Sequence, residues 1–337
     1  MKTPFPLLPP LAFIVAMVLC YLLTPLVRNL AVKYGAVAIP RERDVHKQPI
    51  PRWGGVAMYA AYMLTVSLIL AWMVLRFQLH PDAHPRLLDP GHFKQYTGIL
   101  AGATLVAIVG ALDDKFDLSA IWQSLALVGA GLILFFCNVR IDGITNPFAA
   151  TWMPIPLGWS CLFTLVWVFG VAKTVDFMDG LDGLAAGISA ISGITLALMA
   201  AQAHQYEVSI FAAALVGVCV GFLRHNYNPA TIIMGTIGAQ FIGFILAAVA
   251  MLGAFKMAAT VSVVLPIIVL GVPIFDGMRV VTQRTINRVP AHLPDRTSHL
   301  HHILINRGLS TKQAVWVIYG IAAICCLGAF ALLYFLK

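Results

Sequence analysis

The chain has 337 residues, of which 60% are hydrophobic and only 11% are charged, and its formal net charge is +8. Soluble domains carry about 25% charged residues, so this composition excludes an ordinary water-soluble protein. A basic excess can indicate a nucleic-acid partner, but the distribution of the basic residues along this chain argues against one.

Apolar segments of about 15–22 residues recur along almost the whole chain, and each is long enough to cross or nearly cross roughly 30 Å of hydrocarbon. We predict ten membrane-spanning helices, at residues 6–26, 53–75, 96–112, 119–137, 157–172, 183–201, 208–223, 236–254, 259–278 and 312–336. The sequence therefore predicts an all-α integral membrane protein that forms one domain over residues 1–337.

Ten spans place their connections alternately on two faces of the membrane. One face receives residues 27–52, 113–118, 173–182, 224–235 and 279–311. With the adjoining Lys312, it carries fifteen of the 22 Lys and Arg residues. Basic residues are enriched in cytoplasmic loops, so we expect this face to be cytoplasmic and both termini to lie outside. On the outer face, residues 138–156 alternate weakly and contain turn dipeptides, which predicts a small hairpin.

Carboxylates are concentrated at two points of the cytoplasmic face. Asp113 and Asp114 close the third helix, where acidic groups near hydrocarbon are costly and usually functional; a water-exposed pair is the alternative. Asp176, Asp179 and Asp182 follow the fifth helix together with two glycines. Asp182 could equally be the N-cap of the sixth helix. Such carboxylates can bind Mg²⁺ or orient a lipid phosphate.

Three further polar segments lie on the same face. Asn228 precedes a glycine-rich helix start, a pattern that also serves helix packing. Arg52 belongs to a loop whose positive charge is largely explained by the enrichment of basic residues in cytoplasmic loops. The last loop combines Arg296 with His299, His301 and His302, which suit an anionic ligand or a metal, although solvated loop histidines are the alternative. The convergence of all these segments on one face predicts an active site for a substrate that arrives from the cytoplasm.

Together these segments resemble the polyprenyl-phosphate N-acetylhexosamine-1-phosphate transferase family, glycosyltransferase family 4. The resemblance is carried, in family order, by Pro51–Gly55, Gly110–Asp114, Met178–Leu184, Asn228–Gly235, Ile274–Asp276 and His299–His302. The His-Leu-His-His form is similar to the N-acetylglucosamine-type branch, which initiates wall teichoic acid, O-antigen or related glycans.

The resemblance implies an exchange that depends on Mg²⁺, with Mn²⁺ as the alternative ion: a lipid phosphate attacks the β-phosphorus of a UDP-sugar, and UMP leaves. By motif position, Asp113 and Asp114 would orient or deprotonate the carrier phosphate. Asp179 and Asp182 would support the metal site and the nucleotide. The substrate would be contacted by Arg52, Asn228, Asp276, Arg296, His299, His301 and His302.

The implied partners are a UDP-sugar, undecaprenyl or another polyprenyl phosphate, and the lipid of the cell's inner or plasma membrane. No nucleic acid is implied, and a homodimer is left open. The expected location is this membrane, which the chain crosses several times, with its active site facing the cytoplasm.

Five positions depart from the family pattern. The family usually has a metal-ligand Asp where this chain has Thr236, an Asn at Asp176, a Ser at Ala239, a basic residue at Gln123 and an Arg at Ile303. One interpretation is a ligand exchange, with Asp176 and Thr236 flanking one ion. Another is a diverged paralogue that binds the carrier lipid without turnover. A transporter is the alternative from a different class, but carboxylates at helix ends disfavour it.

Overall fold

The computed structural model of the chain describes residues 5–38, 49–79, 90–145, 152–254, 264–287 and 299–335. These residues are mostly helical, which confirms the all-α prediction. After a 3-10 helix at Phe5–Leu7, the helices are α1 (Leu8–Lys33), α2 (Gly54–Leu79), α3 (Pro90–Phe116), α4 (Ala120–Phe136), α5 (Leu157–Met178), α6 (Leu184–Gln202), α7 (Tyr206–Asn226), α8 (Gly235–Ala254), α9 (Val264–Val269), α10 (Gly271–Ile286), α11 (Leu300–Asn306) and α12 (Thr311–Phe335).

Within the described ranges, eight helices are long and apolar enough to cross a membrane: α1, α2, α3, α5, α6, α7, α8 and α12. The predicted fourth span corresponds to α4, a shorter apolar helix of 17 residues. A multi-pass membrane protein is therefore confirmed. The count of ten spans stays a prediction.

The predicted ninth span, residues 259–278, differs in the structure, where α9 ends at Val269 and α10 begins at Gly271. Pro273 has no N–H to donate to the carbonyl of Val269 four residues earlier, which favours the interruption. The Ser192 hydroxyl donates to that Val269 carbonyl at 2.9 Å. The break is thus accommodated by a neighbouring helix.

Two helix boundaries differ from the prediction in ways that affect the polar residues. The fifth span was predicted to end at 172, but α5 continues to Met178, so Asp176 lies in its last turn. The predicted connection of residues 173–182 shrinks to a turn at residues 179–183. Similarly, α3 extends to Phe116, which places Asp113 and Asp114 in its last turns.

Two pairs of short antiparallel strands are present. Strands β1 (Val37–Ala38) and β2 (Ile50–Pro51) pair next to the start of α2. Strands β3 (Gly143–Thr145) and β4 (Trp152–Pro154) pair with Gly143 opposite Pro154. The second pair lies within the segment predicted as a hairpin. The side of the membrane on which it lies stays a prediction.

Helix α8 lies at the centre of the helical assembly. In the most apolar window of α8, 89% of the residues are buried, compared with 28% for both α1 and α12. Many large apolar side chains of α1 and α12 are exposed, as expected for helices that face lipid. Helix α8 packs against α2, α3, α5, α6 and α7. Its first residue, Gly235, consequently lies where other helix ends converge.

Candidate active site

The carboxylate of Asp114 binds the N-terminus of α8. Its Oδ1 accepts a hydrogen bond from the Thr236 N–H at 2.9 Å, and its Oδ2 accepts one from the Ile237 N–H at 3.2 Å. The first N–H groups of a helix have no partner within the helix and carry its positive dipole end. Asp114 therefore stabilises the start of α8 while joining it to the end of α3.

Gly235 is required for this contact. Its φ is +71°, and a Cβ added there would clash with Asp114 Oδ2 and with the Arg52 carbonyl oxygen. A glycine tolerates the left-handed backbone and leaves room for the close approach. This explains why a glycine precedes Thr236 in the sequence.

The segment that begins α2 is joined to the segment that precedes α8 by backbone hydrogen bonds. Ile233 N–H donates to the Pro51 carbonyl at 3.0 Å, Gly54 N–H to the Ile233 carbonyl at 3.0 Å and Gly55 N–H to the Met234 carbonyl at 2.8 Å. Two motifs that are about 180 residues apart in sequence thus form one unit.

Arg52, a predicted substrate-binding residue, already has a protein partner. Its Nη1 donates to Asp117 Oδ1 at 2.9 Å, and its side chain is 29% exposed. Asp117 follows directly after α3. The structure thus places the Arg52 guanidinium beside the end of α3 that carries Asp113 and Asp114.

The turn between α5 and α6 is held on both sides of Gly183. The Gly183 N–H donates to Asn226 Oδ1 at 3.0 Å, and the Tyr319 hydroxyl donates to the Gly183 carbonyl at 2.6 Å. Gly183 itself is the N-cap of α6, so the interpretation of Asp182 as that N-cap is wrong. The turn is instead fixed by α7 and α12.

Asp182 and Asn228 position each other. Asp182 Oδ2 accepts hydrogen bonds from Asn228 Nδ2 and from the Ala230 N–H, both at 3.0 Å. Asp182 is buried, and a buried carboxylate needs such partners. These contacts tie the turn before α6 to the loop between α7 and α8.

Asp179 lies near three other acidic residues of the site. It is the C-cap residue of α5, and its carboxylate accepts no hydrogen bond from the described part of the chain. Burial raises the pKa of Asp179 well above its usual range, and the carboxylates of Asp176, Asp114 and Asp182 raise this pKa further. The predicted acidic residues of two motifs are therefore brought together around Asp179.

Asp176 contacts residues that sequence reasoning missed. Its Oδ2 accepts hydrogen bonds from Lys173 Nζ at 2.9 Å and from Gln240 Nε2 at 3.2 Å. Lys173 precedes Asp176 by three residues, which is about one turn of a helix. Because the predicted helix ended at residue 172, the sequence analysis did not place these two side chains on one helix face. Gln240 follows Thr236 by one turn of α8, so these two side chains share a helix face.

The histidine segment packs against the turn between α5 and α6. His299 Nδ1 lies 2.8 Å from Asp276 Oδ2, and the Leu300 N–H donates to Asp276 Oδ1 at 2.7 Å. Asp276 was predicted to bind substrate, but both of its oxygens hold the start of α11. The predicted residue Arg296 lies outside the described residues.

His301 is 1% exposed and contacts the turn directly. A Cβ added to Gly180 would lie 2.6 Å from His301 Nε2, so the glycine makes room for the ring. Burial lowers the pKa of His301 to about 3, and His302 and His299 lower it further. His301 is consequently neutral near pH 7 and cannot contact a phosphate as a cation. His302 adjoins it, with ring centroids 4.3 Å apart.

Comparisons with known proteins identify the family to which this arrangement belongs. A family model described as glycosyl transferase family 4 matches residues 96–254. The chain is 34% identical to the probable undecaprenyl-phosphate N-acetylglucosaminyl 1-phosphate transferase of Bacillus subtilis, over 95% of this chain and 84% of the relative. The chain belongs to glycosyl transferase family 4. The resemblance that the motifs carried is confirmed.

Two other relatives of this glycosyl transferase family 4 member come from other bacteria. The decaprenyl-phosphate N-acetylglucosaminephosphotransferase of Mycolicibacterium smegmatis is 32% identical over 95% of the chain and 81% of the relative. The undecaprenyl-phosphate alpha-N-acetylglucosaminyl 1-phosphate transferase of Yersinia pestis is 25% identical over 88% of the chain and 77% of the relative. The family match at residues 96–254 includes Asp113, Asp179 and the start of α8.

The neighbouring residues Asp113 and Asp114 should respond differently to substitution by asparagine. Asp114→Asn places an amide NH₂ against a backbone N–H at the start of α8, and we expect it to destabilise the protein by about 1–3 kcal/mol. Asp113 is buried, but its carboxylate accepts no hydrogen bond from the described residues, so Asp113→Asn should leave stability unchanged or raise it. Thermal unfolding of both variants in detergent micelles measures the difference. Equal unfolding midpoints would contradict the assigned role of Asp114.

Proposed function

We propose that this chain transfers N-acetylglucosamine 1-phosphate from UDP-N-acetylglucosamine to undecaprenyl phosphate or a similar polyprenyl phosphate, releases UMP and starts a cell-envelope glycan. The observation that carries the proposal is that Asp179 lies near Asp182 and near Asp114, the neighbour of Asp113 at the end of α3, in a family 4 chain. Its relatives with 25–34% identity are named for this transfer. The acidic residues lie at helix ends and in a turn, as a substrate from the aqueous phase requires.

The reaction exchanges one bond to phosphorus for another. A phosphate oxygen of the lipid forms a bond with the β-phosphorus of the UDP-sugar, and the bond from that phosphorus to the bridging oxygen breaks, so that UMP departs with the electron pair. Phosphoryl transfer depends mainly on positioning and on neutralising charge. Both requirements can be met by fixed side chains and a cation.

Asp113 is the residue that we assign to the carrier phosphate. Asp114 was predicted to share this role, but both of its oxygens accept hydrogen bonds from α8. Asp113 has no such contact within the described residues, and its backbone is fixed by its neighbour. It can therefore orient the lipid phosphate or accept its proton without first breaking a contact.

A divalent cation fits the chemistry of the acidic residues. Mg²⁺ prefers oxygen ligands and commonly takes one or two carboxylates together with substrate phosphates and water. Among the described residues there is no group of three His, Cys, Asp or Glu side chains preformed as a cage. Asp179, surrounded by other carboxylates, would hold Mg²⁺ or Mn²⁺, and the ion would offset charge on the diphosphate. The assignment of Asp176 and Thr236 as metal ligands stays a prediction.

The histidines would act on the diphosphate or the sugar. Asp276 holds His299 in a fixed orientation through Nδ1, so His299 can present its other ring nitrogen to a substrate, and the His302 ring lies beside it. His301 is buried and neutral, and its contact with Gly180 makes it a support for the turn that carries Asp179 and Asp182.

The proposed activity is tested by UMP formation. Purified protein with UDP-N-acetylglucosamine and undecaprenyl phosphate should release UMP only when Mg²⁺ is present, and chelation should abolish the release. Asp113→Asn should lower the rate by about 10²-fold or more. Asp142→Asn, which alters a carboxylate of the hairpin strand region, is the matched control and should stay within about twofold. No UMP with any UDP-N-acetylhexosamine would favour the paralogue that binds without turnover.

We further propose that the acidic end faces the cytoplasm, in a cell or inner membrane. The support is the excess of Lys and Arg in the connections predicted for that face. A cysteine introduced at Asn287 should react with an impermeant thiol reagent only after the membrane is opened. A cysteine at Asp89 should react in intact cells, and the unsubstituted chain controls for native cysteines. The reverse labelling pattern would exclude a cytoplasmic UDP-sugar as the donor.

A further inference from the structure

Lys173 is a basic residue that contacts one of the acidic side chains of the site. It lies in α5, one turn before Asp176. Its Nζ donates to Asp176 Oδ2 at 2.9 Å and to Gln123 Oε1 at 2.6 Å. The side chain of Lys173 is 14% exposed and that of Asp176 is 18% exposed. The two charges are therefore largely withdrawn from water, where they interact more strongly than a surface pair does.

Gln240 completes a closed network with the same two acceptors. Its Nε2 donates to Gln123 Oε1 at 3.0 Å and to Asp176 Oδ2 at 3.2 Å. Each of the two donors, Lys173 and Gln240, thus contacts both acceptors, Gln123 and Asp176. Gln240 is 1% exposed. The network joins α4, α5 and α8 and fixes where the Lys173 charge lies.

The position of this charge matters because Asp176 lies one turn before Asp179 in the chain. A divalent cation at Asp179 is attracted by each nearby carboxylate and repelled by each nearby ammonium. When an ammonium and a carboxylate are bound to each other, the ammonium offsets part of the attraction between the carboxylate and the cation. Lys173 therefore weakens the attraction that Asp176 exerts on a cation at Asp179.

We propose that Lys173 and Asp176 form a self-compensating ion pair at the edge of the acidic residues, and that Lys173 is a positioning residue that sets their affinity for a divalent cation. Gln123 and Gln240 hold the pair in place. The pair gives an explanation of Asp176 other than a ligand exchange. The negative charge of Asp176 is balanced by the Lys173 ammonium, so it does not have to replace the carboxylate that the family usually has at Thr236. The inference rests on the cation of the proposed function, but it does not require turnover.

Three variants separate these explanations by the direction of their effects. Lys173→Gln removes the ammonium and should lower the MgCl₂ concentration for half-maximal thermal stabilisation by about three- to tenfold. Asp176→Asn removes the carboxylate and should raise this concentration by a similar factor. Lys173→Gln combined with Asp176→Asn removes both charges and should return it to within about twofold of the unsubstituted protein.

Two further variants control for position and for net charge. The first variant combines Gln123→Lys with Lys173→Gln and so exchanges the two hydrogen-bonded side chains. It keeps an ammonium beside Asp176 and should restore the original Mg²⁺ dependence. Lys94→Gln removes one exposed positive charge at the start of α3 and should leave that dependence unchanged.

The measurement is thermal unfolding in detergent micelles over a MgCl₂ series, with and without UMP, and UMP formation is assayed separately. A double variant that binds Mg²⁺ about tenfold more weakly than the unsubstituted protein would overturn the proposal and establish Asp176 as a ligand. A Lys173→Gln protein with a lower unfolding midpoint but unchanged Mg²⁺ dependence would reduce Lys173 to a structural role. An unfolding midpoint of the unsubstituted protein that does not change with MgCl₂ would also overturn the inference. Failure of the proposed function alone would appear as absent UMP formation with the Mg²⁺ dependence of unfolding intact.

Discussion

The contact between the Asp114 carboxylate and two N–H groups in the first turn of α8, those of Thr236 and Ile237, determines the geometry of the candidate site. Helix α8 is the most buried of the membrane helices, so its start cannot move without disturbing its neighbours. A negative charge at a helix N-terminus is favourable, and the close approach requires Gly235. The end of α3 is held there, and the segment before α2 is held by its hydrogen bonds to Ile233 and Met234.

The carboxylates of the site divide into two groups. The carboxylates that accept hydrogen bonds joining separate elements of the chain are those of Asp114, Asp176, Asp182 and Asp276. Asp113 and Asp179 accept none from the described residues, although both lie beside members of the first group. The carboxylates that accept hydrogen bonds fix the backbone that carries Asp113 and Asp179. Such preorganised positioning is a main source of catalysis in phosphoryl transfer.

Sequence reasoning could predict the multi-pass helical fold and most of the polar residues that the structure brings together, because apolar length and clustered charge are local properties. It could not assign roles within a cluster. Asp114 and Asp113 are equivalent in sequence, and only the approach of α8 distinguishes them. The Asp182 contact with Asn228 spans 46 residues, and the network of Gln123, Lys173 and Gln240 joins three helices. The error at the end of α5 had a local cause: polar Lys173 and Asp176 resembled a loop, but they pair along one helix face.

The central claim is that the acidic residues form one cation site centred on Asp179. The most direct measurement is an experimental structure of the protein with MnCl₂ and UDP-N-acetylglucosamine, with anomalous diffraction used to locate the metal. The account predicts a manganese peak within about 2.5 Å of an Asp179 carboxylate oxygen, a distance that direct coordination by oxygen allows. A peak on the imidazoles of His299 and His302, with none beside Asp179, would contradict it.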